Sequence, residues 1–239
     1  MFSPDGRTLA LGGASVSVEG GCFLTLWDVP NEKVKARLKE TAEPAPDWAL
    51  ERQVSALAFS PDGRLLAIAA PDTKLRVFDG QTGAFKNVWE KDSAASIWIA
   101  FSPDGKMLAS VSRRDKTVKL WDVQTAKVQR ILRGNKSWVT AGTFSPDGTL
   151  LATGGRLQEG NKLSGEVNVW DAHTGERKYA LPNVNVPVFT VAFSPDGKRL
   201  AFSGGNEIVT YSEGVVKAHG KTVGEIRLVP LDSLTTKQP

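Results

Sequence analysis

Apolar and polar positions alternate along this chain in short runs, and turn-forming residues cut the runs at regular places. The clearest cut is the pentapeptide Phe-Ser-Pro-Asp-Gly, which occurs at Phe2–Gly6, Phe59–Gly63, Phe101–Gly105, Phe144–Gly148 and Phe193–Gly197. Proline presets φ for the second position of a type I turn, Asp suits the third, and Gly supplies the left-handed residue that closes a hairpin with a bulge. Apolar runs flank the turn, such as Val188-Phe189-Thr190-Val191-Ala192 before it and Arg64-Leu65-Leu66-Ala67-Ile68-Ala69 after it. Each pentapeptide therefore joins two antiparallel strands. A third strand ends in an aromatic residue followed by Asp: Leu24–Asp28, Leu75–Asp79, Val118–Asp122 and Val167–Asp171. Its alternation predicts two unlike faces. Turn residues such as Gln124-Thr125 and His173-Thr174-Gly175 then lead into a fourth, more polar strand, for example Lys127–Leu132.

The phenylalanines of successive pentapeptides are 57, 42, 43 and 49 residues apart. The two shorter intervals match the roughly 40–45-residue period of a four-stranded propeller blade. Four strands per unit, repeated five times, predict an all-β chain: a β-propeller of four-stranded antiparallel blades spanning residues 1–239. The blades fall near 1–40, 51–90, 94–133, 138–181 and 187–235. Small residues crowd the inner runs, as expected for strands converging on a narrow axis.

With Trp27-Asp28, Trp121-Asp122 and Trp170-Asp171 as its signature, the pattern resembles the WD-repeat family in its bacterial form. The resemblance covers essentially the whole chain, with departures. Phe78 stands for the second tryptophan, and Val229-Pro230 replace the fifth Trp-Asp pair. The family's Gly-His pair before the inner strand is missing throughout, which argues against its buried His–Ser/Thr–Trp hydrogen-bond network. The pentapeptide turn also resembles those of TolB-like and hydrolase-associated propellers, which act as accessory domains of enzymes. The Leu-Trp-Asp-Val endings favour the WD-repeat family. The first unit starts at the end of its innermost strand, and only a short outer strand fits after the fifth unit's third. The expectation is an incomplete ring, or one completed in trans by self-association.

Composition narrows the function classes only a little. The chain has 239 residues, 41% of them hydrophobic and 23% charged, as in ordinary globular proteins. Its net charge of +4 is too mild for the basic stripe of a nucleic-acid binder. No stretch approaches the roughly 20 apolar residues needed to span a bilayer, so no membrane partner is expected. The lone Cys22 excludes an internal disulfide framework and suits a reducing compartment. Met1–Gly6 lacks the pattern of a secretory signal, and a cytoplasmic location is expected.

Candidate chemistry is sparse. There is no His-Glu-x-x-His, Cys-x-x-Cys, Gly-x-Ser-x-Gly or phosphate-binding glycine loop, so no catalytic residue, cofactor or metal is assigned. The histidines, His173 and His219, have no ligand partners at metal-site spacing. Asp5, Asp62, Asp104, Asp147 and Asp196 read as turn formers. The departures from the repeat are more informative. Enlarged loops at Val16–Cys22, Thr41–Trp48, Arg156–Ser164 and Asn206–Thr222 gather on one face, where binding loops on a rigid scaffold are expected. Trp48, Trp98 and Trp138 fall outside the repeat's own packing needs, and Arg52, Arg113, Arg114, Lys136 and Arg156 should reach the same face. Trp and Arg are favoured interface anchors. The resulting expectation is a non-catalytic scaffold that binds other proteins, with an acidic or amphipathic peptide as the partner.

Overall fold

The computed structural model describes residues 1–12, 24–38, 54–70, 74–89, 96–112, 115–160, 162–206, 209–212, 215–218, 223–231 and 235–236. No α-helix occurs among them. The chain forms two compact units, Met1–Ile131 and Leu132–Pro239. In the first unit, β1 (Thr8–Gly12), β2 (Leu24–Asp28) and β3 (Lys33–Leu38) form one antiparallel sheet. A second contains β4 (Ala56–Phe59), β5 (Leu65–Ala69), β6 (Leu75–Asp79) and β7 (Phe85–Trp89). The third contains β8 (Ser96–Phe101), β9 (Met107–Ser112), β10 (Val118–Asp122) and β11 (Lys127–Leu132).

The second unit opens with a fourth sheet of β12 (Trp138–Phe144), β13 (Leu150–Glu159), β14 (Lys162–Asp171) and β15 (Arg177–Val184). Its neighbouring sheet contains β16 (Val188–Phe193) and β17 (Arg199–Asn206). The hairpin of β18 (Val209–Ser212) and β19 (Val215–Ala218) separates these from the sheet's third strand, β20 (Val223–Pro230). Within each sheet the main strands follow chain order, as a propeller blade requires. The last element, β21 (Thr235–Thr236), pairs with β15 through Tyr179 and Ala180. This corrects the expectation of an outer strand on the fifth blade, since the segment extends the exposed edge of the fourth instead.

The pentapeptide turns show why each of their residues is present. At Phe59–Gly63, the Ser60 hydroxyl donates to Asp62 Oδ1 and accepts from the backbone N–H of Leu65 at 2.9 Å. Asp62 Oδ1 also accepts from Arg64 N at 3.0 Å, and Gly63 takes a φ of 69°. The same bonds recur at Ser3, Ser102, Ser145 and Ser194. In each case hydrogen bonding to Ser holds the Asp carboxyl below its usual range. Within the units, successive turns stack on one another: Gly63 rests against Pro4, Gly105 against Pro61 and Gly197 against Pro146.

Blades pack face to face through two recurring rows of side chains. The directly opposed pairs Leu66–Phe78 and Leu108–Trp121 lie on the face turned to the preceding blade. Ala10–Leu26, Ala67–Val77 and Ala152–Val169 lie on the face turned to the following blade. Alanine at the centre of the receiving face lets the larger side chains of the next blade approach closely. The third strands of the second, third and fourth blades are buried on both faces, and even Arg76, Lys119 and Asn168 are buried. Their two faces differ in chemistry, as expected, but neither is open to solvent; on the first and fifth blades Trp27 is half-buried and Leu228 exposed.

Candidate functional site

The fourth blade carries the most complete part of the interaction surface read from the sequence. Residues 133–137 bring the chain into β12, and three side chains pin this short connection in place. Arg177 donates from Nη1 to Gly134 O at 3.1 Å, and its guanidinium lies 6.0 Å from the Trp170 ring centroid. Asn168 donates from Nδ2 to Asn135 Oδ1 at 3.1 Å. The buried Glu166 carboxylate accepts from both the backbone N–H and the hydroxyl of Ser137, at 2.9 and 2.8 Å. Gly155 makes room for this contact, since a Cβ there would fall 1.9 Å from Ser137 Oγ.

Because Asn135, Ser137 and Val139 point inward and are buried, the intervening Lys136 and Trp138 point outward. Trp138 is 40% exposed and stands directly opposite Arg156 in the β12–β13 register. Arg156 is half-buried: its Nη2 lies 3.5 Å from Gln158 Oε1, while its Nε is buried with no hydrogen-bond acceptor among the described residues. Beyond Arg156, β13 and β14 continue as a two-stranded projection to Glu159 and Lys162, past the point where β12 begins. The enlarged loop at Arg156–Ser164 is thus an ordered hairpin rising beside Trp138. On the neighbouring fifth blade, β18 and β19 form a second inserted hairpin, between β17 and β20.

The structure therefore brings Lys136, Trp138 and Arg156 together in the second unit. Trp98 is in the first unit, half-buried in β8 and opposite Val111. It lies on the face of the third sheet opposite Ile99 and Phe101, which pack on the second. Trp48, Arg52, Arg113 and Arg114 lie outside the described residues, as do Cys22 and His219. His173 sits in the turn after Trp170-Asp171, where its backbone N–H donates to Asp171 Oδ1 at 2.9 Å.

Sequence reasoning missed the polar clasp of Asn135, Ser137, Glu166 and Asn168. Its only signal was a pair of polar residues, Glu166 and Asn168, in a strand otherwise rich in valine. The expectation about the tryptophan network needs a correction as well. Without any Gly-His pair, Trp121 Nε1 still donates to Ser110 Oγ at 2.9 Å, and Trp170 Nε1 to Thr153 Oγ1 at 3.0 Å. A buried indole N–H needs an acceptor whether or not a histidine extends the chain of bonds.

The family model described as "WD domain, G-beta repeat" matches residues 49–79, 91–122 and 126–171, covering Phe78-Asp79, Trp121-Asp122 and Trp170-Asp171. The chain carries WD repeats. An uncharacterized WD repeat-containing protein of Synechocystis sp. is 30% identical over 155 residues, which are 64% of this WD-repeat chain and 39% of that relative. A chain in the crystal structure of a mitotic checkpoint complex is similar at a TM-score of 0.68 and 19% identity, over 92% of this chain and 65% of that one. Kuenenia stuttgartiensis hydrazine synthase is similar at 0.70 and 21% identity, over 98% and 66%. At these identities the likeness shows the propeller fold alone. WD-repeat propellers generally mediate protein–protein interaction and are generally not enzymes. Among the described residues, no group of three or more His, Cys, Asp or Glu could hold a metal ion, and no helix is long and apolar enough to cross a membrane.

Proposed function

We propose that this WD-repeat chain is a non-catalytic interaction module that binds an acidic, amphipathic segment of a partner protein at the Trp138 surface. The observation that carries the reading is an exposed indole on a clasped strand, flanked by two cations. Trp138 offers apolar area at little entropic cost, because the backbone before it is already fixed by the Ser137–Glu166 bonds and the backbone after it by the pairing of Val139 with Gly155. Lys136 and Arg156 suit carboxylates, and the half-buried Arg156 guanidinium is planar, as paired bonds to a carboxylate require. The β13–β14 projection supplies a wall beside them. Partner contact by Trp48, Arg52, Trp98, Arg113 and Arg114, which belong to the first unit, is a separate proposal that rests on the sequence alone.

Titrating a fluorescein-labelled peptide of alternating Glu and Leu into the chain, read by anisotropy, tests this. Binding should weaken more than about tenfold with Trp138→Ala and with Arg156→Glu, and should fall steeply with added salt. Salt-independent binding, or affinity unchanged by both substitutions, would rule the site out.

A further inference from the structure

Beside Trp138, the fourth blade carries a strand edge that no other described strand pairs with. In the second and third blades the second strand ends level with the start of the inner one, at the pairs Ala56–Ala69 and Ser96–Ser112. In the fourth, β12 begins at Trp138 opposite Arg156, while β13 runs on to Glu159. Thr149 O accepts from Ala172 N on the β14 side, and Leu150 O accepts from Ser145 N on the β12 side. Consecutive strand residues turn their N–H and C=O groups to opposite sides, and the β13–β14 register is unbroken from Leu150 to Glu159. Even-numbered residues of β13 therefore face the line of β12. Gln158, exposed and two residues past Arg156, turns its main-chain N–H and C=O into that line where β12 is absent.

The clasp explains why the residues before β12 do not fill the place. Had they continued the strand, Lys136 would lie opposite Gln158. Instead Ser137 N donates to Glu166, Asn168 bonds to Asn135 and Arg177 to Gly134 O, so the connection climbs the face of the sheet that carries Glu166 and Asn168. Trp138, Arg156 and Gln158 share the other face. There the Arg156 guanidinium leans along the edge, with Nη2 3.5 Å from Gln158 Oε1.

Resting on the reading of this surface given above, we propose that the acidic segment binds as an extended strand, antiparallel to β13 and in line with β12. The segment residue opposite Gln158 exchanges both main-chain bonds with it. Its side chain falls on the face of Arg156, at the diagonal position that long side chains span, and glutamate suits that place. Trp138 blocks the segment from following β13 further, so it turns away over the indole. A helical segment, its main chain already bonded internally, would leave Gln158 unpaired.

The peptide of alternating Glu and Leu tests this on the full chain. Gln158→Pro removes the donor from the edge and spares the β14 side of the ladder, so binding should weaken more than about tenfold. Gln158→Ala keeps the main-chain pair and should weaken binding far less. If circular dichroism shows the proline variant misfolded, infrared spectra of the peptide with isotope-labelled carbonyls, bound to the wild-type chain, carry the test: a strand amide band is expected. Equal losses with proline and alanine, or a helical or unordered band, overturn strand addition, even where binding still depends on Trp138 and the surface itself stands. No binding, or binding unchanged by both Trp138→Ala and Arg156→Glu, overturns the surface and the strand together.

Discussion

The second and fourth blades share one four-strand plan and differ at a pair of neighbouring positions in the row turned to the preceding blade. In the fourth, Trp170 donates to Thr153; in the third, Trp121 donates to Ser110 in the same way. In the second, Phe78 has no donor, and Ile68 stands at the position of the hydroxyl; both are fully buried. Donor and acceptor are present together or absent together. The first blade adds a contrast, pairing Trp27 with Leu11 at the hydroxyl position, and there the indole is only half-buried and water can reach it. A buried indole without an acceptor would forfeit the desolvation cost of its N–H, whereas removing both partners leaves an apolar pair of nearly equal worth.

That comparison can be broken in order of severity. The largest loss is expected from Trp170→Ala or Phe78→Ala, each about 3–5 kcal/mol for a fully packed aromatic, read by denaturant unfolding. Next, Thr153→Val leaves the Trp170 N–H without its acceptor and should cost about 1–3 kcal/mol. Adding Trp170→Phe to it rebuilds the arrangement of the second blade, so the double variant should lose less than the sum of the single losses. Additive losses would show that the hydrogen bond contributes nothing. Phe78→Trp makes the reverse error, a donor facing Ile68, and should also destabilise. Since the two blades belong to different compact units, amide exchange in each reports its own effect.

The smallest effect concerns what the two blades share, the Asp after the aromatic. Asp79 is held at about 2 by the N–H groups of Thr82 and Gln81. Burial works to raise Asp171, but bonds from Thr174 N, Lys178 and His173 N together bring it to about 2. Lys178 Nζ lies 2.9 Å from its carboxylate. Both carboxyls are depressed in the folded chain, so their stabilisation is complete above about pH 4 and is lost as pH falls through about 2. With both side chains partly exposed, each is expected to contribute about 1 kcal/mol. Asp171→Asn should flatten the loss of stability between pH 5 and 2; an unchanged acid limb would contradict this.

Much of the fold was legible because its signals are local. The Pro-Asp-Gly turns and the aromatic-Asp endings each set strand positions within a few residues of themselves. What was not legible depends on what covers a strand. Alternation in Val167-Asn168-Val169-Trp170 predicts two faces but not that both are buried, so the roles of Asn168 and Glu166 could not be read. Nor could the pairing of Thr235–Thr236 with β15, which depends on an edge far away in sequence. At the candidate site, Lys136, Trp138 and Arg156 stood out as departures from the repeat. The clasp that aims them did not, because Ser137 and Glu166 are 29 residues apart.

The most direct test of the account is amide hydrogen exchange of the chain with and without the acidic peptide. Protection confined to residues 136–139 and 155–158, with the β13–β14 projection, would place the partner at the Trp138 surface as the account predicts. Protection elsewhere, or none at saturating peptide, would contradict it.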